Sequence, residues 1–538
     1  MHRRSSSSGD GGQSTLPTSS KTATSRNSPP WSPRSLSTGF TLPFKTPSLR
    51  SRRVVAFGIG LSVLAFGALQ LASNVTIPQS LHWIEWSKSS TTRTVDGLAV
   101  NCHVHNGSRA SIAAATEQVP PTCEPCLRNP QDKLCEYGMD NIRLSRAYEG
   151  SGHRVRKVIE KALSGQQVRI GLLGSSAGHG ILTTLDARWQ YRFLKHFQQT
   201  FPQTLFYDGA SPGMNSEFFS YCFSALIPND LDLYLIEVDI NNEFLPETYR
   251  NDDNLMRALL TLPQQPAVIR IQVFALWFSD MMRGAASSIM TSQWLDVPVI
   301  SVRNWLLPQS LKYPDEAHEY FSKDAEGNID WRHMGHASHR ALADMLSLYM
   351  KQKICEVERE AQFPSPATQP DTVWPERDML ETVPRQWLWQ AYDHDSIVPP
   401  VHPQCSLSSA NLTALTGSHH KVGSNWSKIE WNDKQAFQSS SVGSRVTFQW
   451  TGVQVGLFVW TWSGEGNVSK PGRAWCFVDN DFTSGKEIDA FAERAAAGPV
   501  WHVVAEDLPY GTHTISCQVM ATSSTTGHDV RIIGLASL

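Results

Sequence analysis

Gly171-Leu172-Leu173-Gly174-Ser175-Ser176-Ala177-Gly178-His179-Gly180 decides how the rest of this chain is read. Gln167-Val168-Arg169-Ile170 lead into it, and together with Leu172-Leu173 they form a run of β-formers of strand length. From Leu182 onward the pattern turns helical. A strand, a glycine-rich turn and a helix in that order hold a serine hydroxyl at the carboxyl edge of a sheet, beside open backbone N–H groups. A hydroxyl so placed is a nucleophile if a base can reach it. Asp330-Trp331-Arg332-His333, far downstream, offers an imidazole and a carboxylate to orient it.

Around this stretch, from Arg143 to Lys353, strand-like and helix-like runs alternate. The strands are expected at Val168–Leu173, Thr204–Tyr207, Leu231–Val238, Ala267–Phe274 and Val297–Val302. Helices are expected near Leu185–Thr200, Ser216–Leu226, Asp253–Leu262 and Ala337–Lys351. Near-continuous apolar strands separated by helices predict a parallel sheet covered on both faces.

The 538 residues exceed what this one domain needs, and 41% hydrophobic content with 18 tryptophans supplies ample core. Residues 1–53 have another character. They are rich in Ser, Thr and Pro and carry nine Lys or Arg against the single acid Asp10, the composition of a disordered cytosolic tail. Val54–Ser73 then run for 20 residues without a charge, enough for a helix of roughly 30 Å and thus for a bilayer core. The basic flank Arg50-Ser51-Arg52-Arg53 places the N-terminus on the cytosolic side and predicts a single-pass type II membrane protein.

All nine cysteines lie beyond that segment, as do five Asn-x-Ser/Thr sequons, at Asn74, Asn106, Asn411, Asn425 and Asn467. Both fit a secretory-pathway lumen, Golgi or cell surface, where disulfides persist and glycans are added. Asn74 stands too close to the membrane, which leaves Asn106, Asn411, Asn425 and Asn467 as the glycosylation sites. Cys222, inside Phe218-Phe219-Ser220-Tyr221-Cys222-Phe223, is expected to be a buried free thiol, while Cys476 and Cys517 fall in two strands and are expected to pair. The tail carries about +8 of charge, which leaves about −11 on the remainder and excludes nucleic acid as a partner.

Residues 74–140 read as a stem and cysteine-rich segment, 141–355 as the α/β domain and 356–398 as a Pro-rich linker. From 399 to 538 the runs are short, β-rich and broken by Gly, Asn and Pro, which predicts a small antiparallel β-sandwich. Its Trp450, Trp460, Trp462, Trp475 and Trp501 can either stack on sugar rings or fill the sandwich core.

Four blocks of this sequence resemble the SGNH/GDSL-type hydrolases. Gly174-Ser175-Ser176-Ala177-Gly178-His179-Gly180 is similar to that family's Gly-Asp-Ser-x-x-x-Gly, with Ser176 at the nucleophile position and Ser175 in place of the usual aspartate. Ser175 is the reserve nucleophile. Asp208-Gly209-Ala210-Ser211-Pro212-Gly213-Met214-Asn215-Ser216 resembles the second block, in which Gly213 gives a backbone N–H to the oxyanion. Asn241, in Asp232–Asn242, matches the oxyanion asparagine, although Asp239 stands where the family has glycine. Asp330-Trp331-Arg332-His333 matches Asp-x-x-His.

The resemblance covers roughly residues 165–353 and implies a three-layer α/β/α flavodoxin-like core. It also implies a triad of Ser176, His333 and Asp330, in which the last two meet across one turn. The oxyanion donors would be the N–H groups of Ser176 and Gly213 and the Asn241 amide. No cofactor is called for. His333, His336 and His339 drift around a helix without a completing ligand, so no metal site is expected, and Glu237 and Asp239 read as structural acids at a strand end.

The implied activity is serine esterase, removing small acyl groups, O-acetyl above all, from a carbohydrate. Glycan O-acetyl transfer through the same acyl-enzyme is the close alternative, and a catalytically degenerate glycan-binding or cell-wall protein the distant one.

Overall fold

The computed structural model describes residues 122–363, 382–398, 402–409, 425–431, 434–464, 469–493 and 497–538, Ser279 excepted, together with a small strand pair. That pair, Thr94–Val95 with Leu98–Ala99, is antiparallel and belongs to a separate N-terminal unit. The tail, the apolar segment Val54–Ser73 and the sequons at Asn74, Asn106, Asn411 and Asn467 lie outside the described residues, whereas Asn425 is described and exposed. Among the described residues no helix is long and apolar enough to cross a membrane.

Six strands make the first sheet of the main unit: β1 (Arg146–Tyr148), β2 (Arg169–Gly174), β3 (Leu205–Asp208), β4 (Leu233–Glu237), β5 (Ala267–Gln272) and β6 (Val299–Ser301). Their order is β1-β6-β5-β4-β2-β3, with β2 to β6 parallel and β1 antiparallel at the edge. The chain therefore reverses its direction of winding between β2 and β4. In open α/β sheets the crevice at such a switch point is where ligands bind, beyond the carboxyl ends of the strands.

The sheet is covered on both faces. On β4, Leu233 and Leu235 enter one core with Ile170 and Leu172 of β2, while Tyr234 and Ile236 enter the other with Leu173. This is the period-two division that a fully buried strand imposes on a continuous apolar run. Helices α1 (His153–Leu163), α3 (Trp189–Thr200) and α8 (His336–Gln362) pack together on the first face. Helices α4 (Ser216–Leu226), α5 (Pro246–Leu260) and α6 (Ala285–Trp294) cover the second. Also present are α2 (Ser176–His179), which follows β2, α7 (Arg303–Lys312) and two short helices ahead of the sheet, Pro125–Arg128 and Met139–Ser145. A hairpin of β7 (Phe321–Lys323) and β8 (Ile329–Met334) precedes α8.

The stem expected over 74–140 ends in structure. Leu134 and Ile142 join the core, Cys126 bonds Cys135, and Cys123 bonds Cys355 across a sequence separation of 232. Helix α8 runs past the boundary expected at residue 355, and Arg257 donates to the carbonyls of Pro384 and Gln386, which fixes part of the expected linker to α5.

The C-terminal strands form two antiparallel sheets. One is β10 (Ser427–Trp431), β11 (Lys434–Ser439), β18 (Val530–Ser537), β13 (Val455–Thr461) and β16 (Gly498–Ala505), in that order, with β9 (Gln404–Leu407) also paired to β18. The other is β12 (Arg445–Gly452), β17 (Gly511–Val519), β14 (Arg473–Val478) and β15 (Lys486–Asp489). Cys476 and Cys517 stand opposite each other in the β14–β17 ladder and are bonded. Trp450, Trp460 and Trp462 are buried and Trp475 and Trp501 half-buried, so these indoles serve mainly as core.

The sandwich and the α/β body share one apolar core. Phe218 on α4 meets Phe458 on β13 edge-on at 5.2 Å, and Tyr221 stacks on Trp501 at 4.4 Å. Cys222 is not a free thiol: it is bonded to Cys405 on β9. The apolar run around Cys222 revealed its burial, but α4 lies against β9, which brings in a partner 183 residues away. Cys102 lies outside the described residues.

Candidate active site

Four segments meet at the carboxyl edge of the sheet. Ser175 ends the extended backbone of β2, and its side chain accepts from the Ala177 N–H, so it caps α2. Ser176 is therefore the first helical residue and is half-buried, whereas Ser175 is fully buried. The Ser175 hydroxyl is already engaged, donating to the Glu237 carboxyl at 3.0 to 3.1 Å. Of the two serines only Ser176 is left partly exposed, with no protein partner taking up its hydroxyl among the described residues.

The loops after β3 and β4 are joined to each other. Asn241 Nδ2 donates to the Met214 carbonyl at 2.8 Å, and Asn242 Oδ1 accepts from both Ser216 N at 2.9 Å and Ser216 Oγ at 3.0 Å. An amide nitrogen carries two hydrogens, so Asn241 keeps one to donate elsewhere. Gly213 sits between these contacts with φ +84°, where a side chain would be strained. Among the described residues the N–H groups of Ser176 and Gly213 have no acceptor in the protein.

Asp239, found where the resembling family has glycine, faces away into a buried ionic set. Arg270 Nη1 donates to it at 2.5 Å and Arg270 Nη2 to Asp252 at 2.6 Å, while Ser288 Oγ donates to Asp239 at 2.6 Å. The arginine and both acids are buried, and they anchor the root of the Asn241 loop to β5, α5 and α6.

Asp330 and His333 lie on β8, at a bulge in the hairpin, instead of across a simple turn. The bulge lets residues three apart face each other, with His333 Nδ1 2.7 Å from Asp330 Oδ2. Burial alone would raise the Asp330 carboxyl. The hydrogen bonds from His333 and the Arg332 N–H outweigh it and hold Asp330 below the ordinary carboxylate range. An ionised Asp330 fixes the proton on Nδ1 and leaves His333 Nε2 as an acceptor. Burial pushes the His333 imidazole down, Asp330 opposes, and Arg332 and Lys434 lower it further, so that it lies below its usual value. Strand β8 is in contact with α2, which Ser176 opens.

His339 is a structural histidine. It is buried, its Nδ1 accepts the Trp189 N–H at 3.2 Å, and burial pushes its pKa down to about 3.

Sequence reasoning missed the part played by the sandwich. Trp460 on β13 packs on Gly213, and Lys434 on β11 stands over the Trp460 ring at 5.5 Å while acting electrostatically on His333. Trp277, in the loop after β5, is 40% exposed and has the Arg332 guanidinium over its ring at 4.9 Å. A pattern of core-like tryptophans in a second domain carries no sign of which one reaches the first.

A serine at a helix start after the first parallel strand, with a histidine–carboxylate pair beside it at a 2-1-3-4-5 switch point, defines a three-layer α/β/α fold of flavodoxin-like order fused to an antiparallel sandwich. No protein-family model matches the chain, and no curated protein sequence does. Two solved structures share its architecture: a two-domain esterase (CEX) active on acetylated mannans, and that esterase co-crystallised with mannopentaose. Each has a TM-score of 0.50 and 16% identity over 74% of this chain, covering 98% and 97% of their own chains. At that identity the likeness is one of fold, and it includes both domains.

Proposed function

We propose that the chain is a serine esterase that removes O-acetyl groups from a glycan, with Ser176 as nucleophile, His333 as base and Asp330 as its orienting acid. The observation that carries this reading is the 2.7 Å contact of His333 with Asp330 on a strand lying against the helix that Ser176 opens.

In the acylation step the Ser176 proton passes to His333 Nε2 as Oγ bonds the acetyl carbon. The C–O bond to the sugar then breaks, and the sugar oxygen takes the proton from His333. A water repeats the sequence, releasing acetate and restoring the serine. The N–H groups of Ser176 and Gly213 and the Asn241 amide surround the oxyanion. Loss of one such donor typically costs about 3 kcal/mol of transition-state stabilisation.

Trp277, 40% exposed beside the His333 strand, supports a carbohydrate substrate, because an accessible indole offers apolar area to a sugar ring. The four disulfides among the described residues support an oxidising, secretory-pathway location. Acetylated mannan is the first polysaccharide to test, since the solved structures of like architecture are those of an esterase active on acetylated mannans.

The test is acetate release from 4-nitrophenyl acetate and from acetylated mannan by the chain and by Ser176→Ala. Turnover abolished by the substitution supports the reading. Acetate appearing on an added sugar acceptor instead of in solution would make the enzyme a transferase. No turnover of either ester would leave a glycan-binding protein.

A further inference from the structure

Glu237 closes β4 directly beneath the nucleophile turn, and it is fully buried. One oxygen, Oε2, accepts from Gly178 N at 2.7 Å and from Ser175 N at 3.2 Å. The Ser175 hydroxyl donates to the same carboxyl, and the Glu237 backbone carbonyl also accepts Ser175 N at 2.8 Å. One side chain thus holds the residue immediately before Ser176 and the residue two positions after it. A Cβ on Gly178 would stand 3.2 Å from Oε2, so a side chain there would crowd the carboxyl. Gln190 Nε2 fixes the Gly178 carbonyl from the other side at 2.5 Å.

These contacts explain the departure at position 175. Where the resembling family carries an aspartate inside the turn, this chain has a serine, and a carboxyl reaches the turn from the neighbouring strand. We propose that Glu237 is the positioning residue of the nucleophile turn, supplying from β4 the carboxyl that orients Ser176 by binding the N–H groups on both sides of it. The proposal rests on Ser176 being the nucleophile. Glu237 touches no reacting atom and acts through the backbone of Ser175 and Gly178.

A role of this kind changes the rate of the chemical step and leaves substrate binding alone. Loss of orientation of a nucleophile costs one to two orders of magnitude when reacting groups move by about 1 Å. The test uses the whole chain and two readouts: kcat and KM on 4-nitrophenyl acetate, and the rate at which a fluorophosphonate probe labels Ser176, located by mass spectrometry.

Glu237→Ala is expected to lower kcat and the labelling rate about 30- to 100-fold with KM within about twofold. E237Q, whose carbonyl oxygen can replace Oε2 and whose amide can face the Ser175 hydroxyl, is expected to stay within about fivefold of the parent. The double variant S175D/E237A returns a carboxyl to the turn itself and is expected to regain at least about tenfold over E237A. If E237A does not fold, E237D, which withdraws the carboxyl from Gly178, is expected to lose about tenfold.

A parent labelled at Ser176 with E237A, or E237D in its place, labelled at the same rate would overturn the positioning role and leave the nucleophile assignment intact. A rise in KM with kcat unchanged would also overturn it. A folded parent that is never labelled at Ser176 would overturn the nucleophile assignment and this proposal with it.

Discussion

Trp460 of the sandwich lies against Gly213 of the α/β body, its Cη2 3.0 Å from where a Cβ on that glycine would stand. The second domain therefore forms part of the wall behind the proposed oxyanion loop. Gly213→Ala meets two penalties together, since its φ of +84° is unfavourable for a side chain and the methyl presses on the indole. A backbone of this kind costs about 1–3 kcal/mol when a residue with a side chain must adopt it. Thermal unfolding should show the loss, and kcat/KM for 4-nitrophenyl acetate should fall at least about tenfold. Parent-like activity in G213A would remove Gly213 from the oxyanion site.

His333 sets the expected pH dependence. Its folded pKa lies below the usual histidine value, chiefly because it is buried, so at neutral pH the ring is the uncharged base that the proposed reaction requires. Activity should be flat near neutrality and fall as pH drops through that depressed pKa, when the ring gains a proton and can no longer accept one from Ser176. Lys434 lowers the ring's pKa from the sandwich. Lys434→Gln should therefore move the acid limb toward higher pH by less than about one unit. A pH profile of kcat/KM for the two proteins checks both the sign and the role of the second domain.

The Cys222–Cys405 bond ties α4 to β9 across the shared core. Removing such a link from a disulfide-bonded protein costs about 2–5 kcal/mol. Urea unfolding of the C222A/C405A double variant should show that loss, and activity should decline at denaturant concentrations the parent tolerates, because Trp460 and Lys434 then leave the site. Loss of activity without loss of stability would mean that the bond acts on the site more directly.

How much of this was legible in the sequence follows from how each feature is encoded. Strands β4 to β6 lie within the expected runs and β2 and β3 overrun theirs by one residue; the buried strands β2, β4, β5 and β6 are written as near-continuous apolar stretches, whereas β3 is a partly exposed edge. The candidates Ser176, Gly213 and Asn241 stand in the loops that follow β2, β3 and β4, within two to five residues of each strand's end. The sandwich strands Ser427–Trp431 and Lys434–Ser439 were missed, being half polar, short and without a strong apolar alternation. Helices α1, α6 and α7 were missed as well. Contacts across long stretches of chain leave no local trace: the burial of Cys222 was visible but Cys405 was not, and nothing near Trp460 pointed to Gly213. Glu237 was visible as a structural acid, yet its service to the Ser175–Gly178 turn depends on the parallel register that sets Gly174 against Glu237.

The adjacent serines give the sharpest separation of roles. Ser176 is half-buried at the head of α2, while the Ser175 hydroxyl is enclosed and bound to Glu237. Ser176→Ala should abolish turnover, a loss of at least about 10³-fold, with unfolding unchanged, because a half-buried hydroxyl on a helix's first residue contributes little to stability. Ser175→Ala removes the donor facing a buried carboxyl and the cap of α2, so it should cost about 1–3 kcal/mol of stability. Its activity should fall far less than that of S176A. Parallel melting curves and kcat/KM values for the two variants decide the matter. If S175A proved inactive but stable while S176A retained turnover, the nucleophile would be Ser175 and the turn would have to open to release it from Glu237.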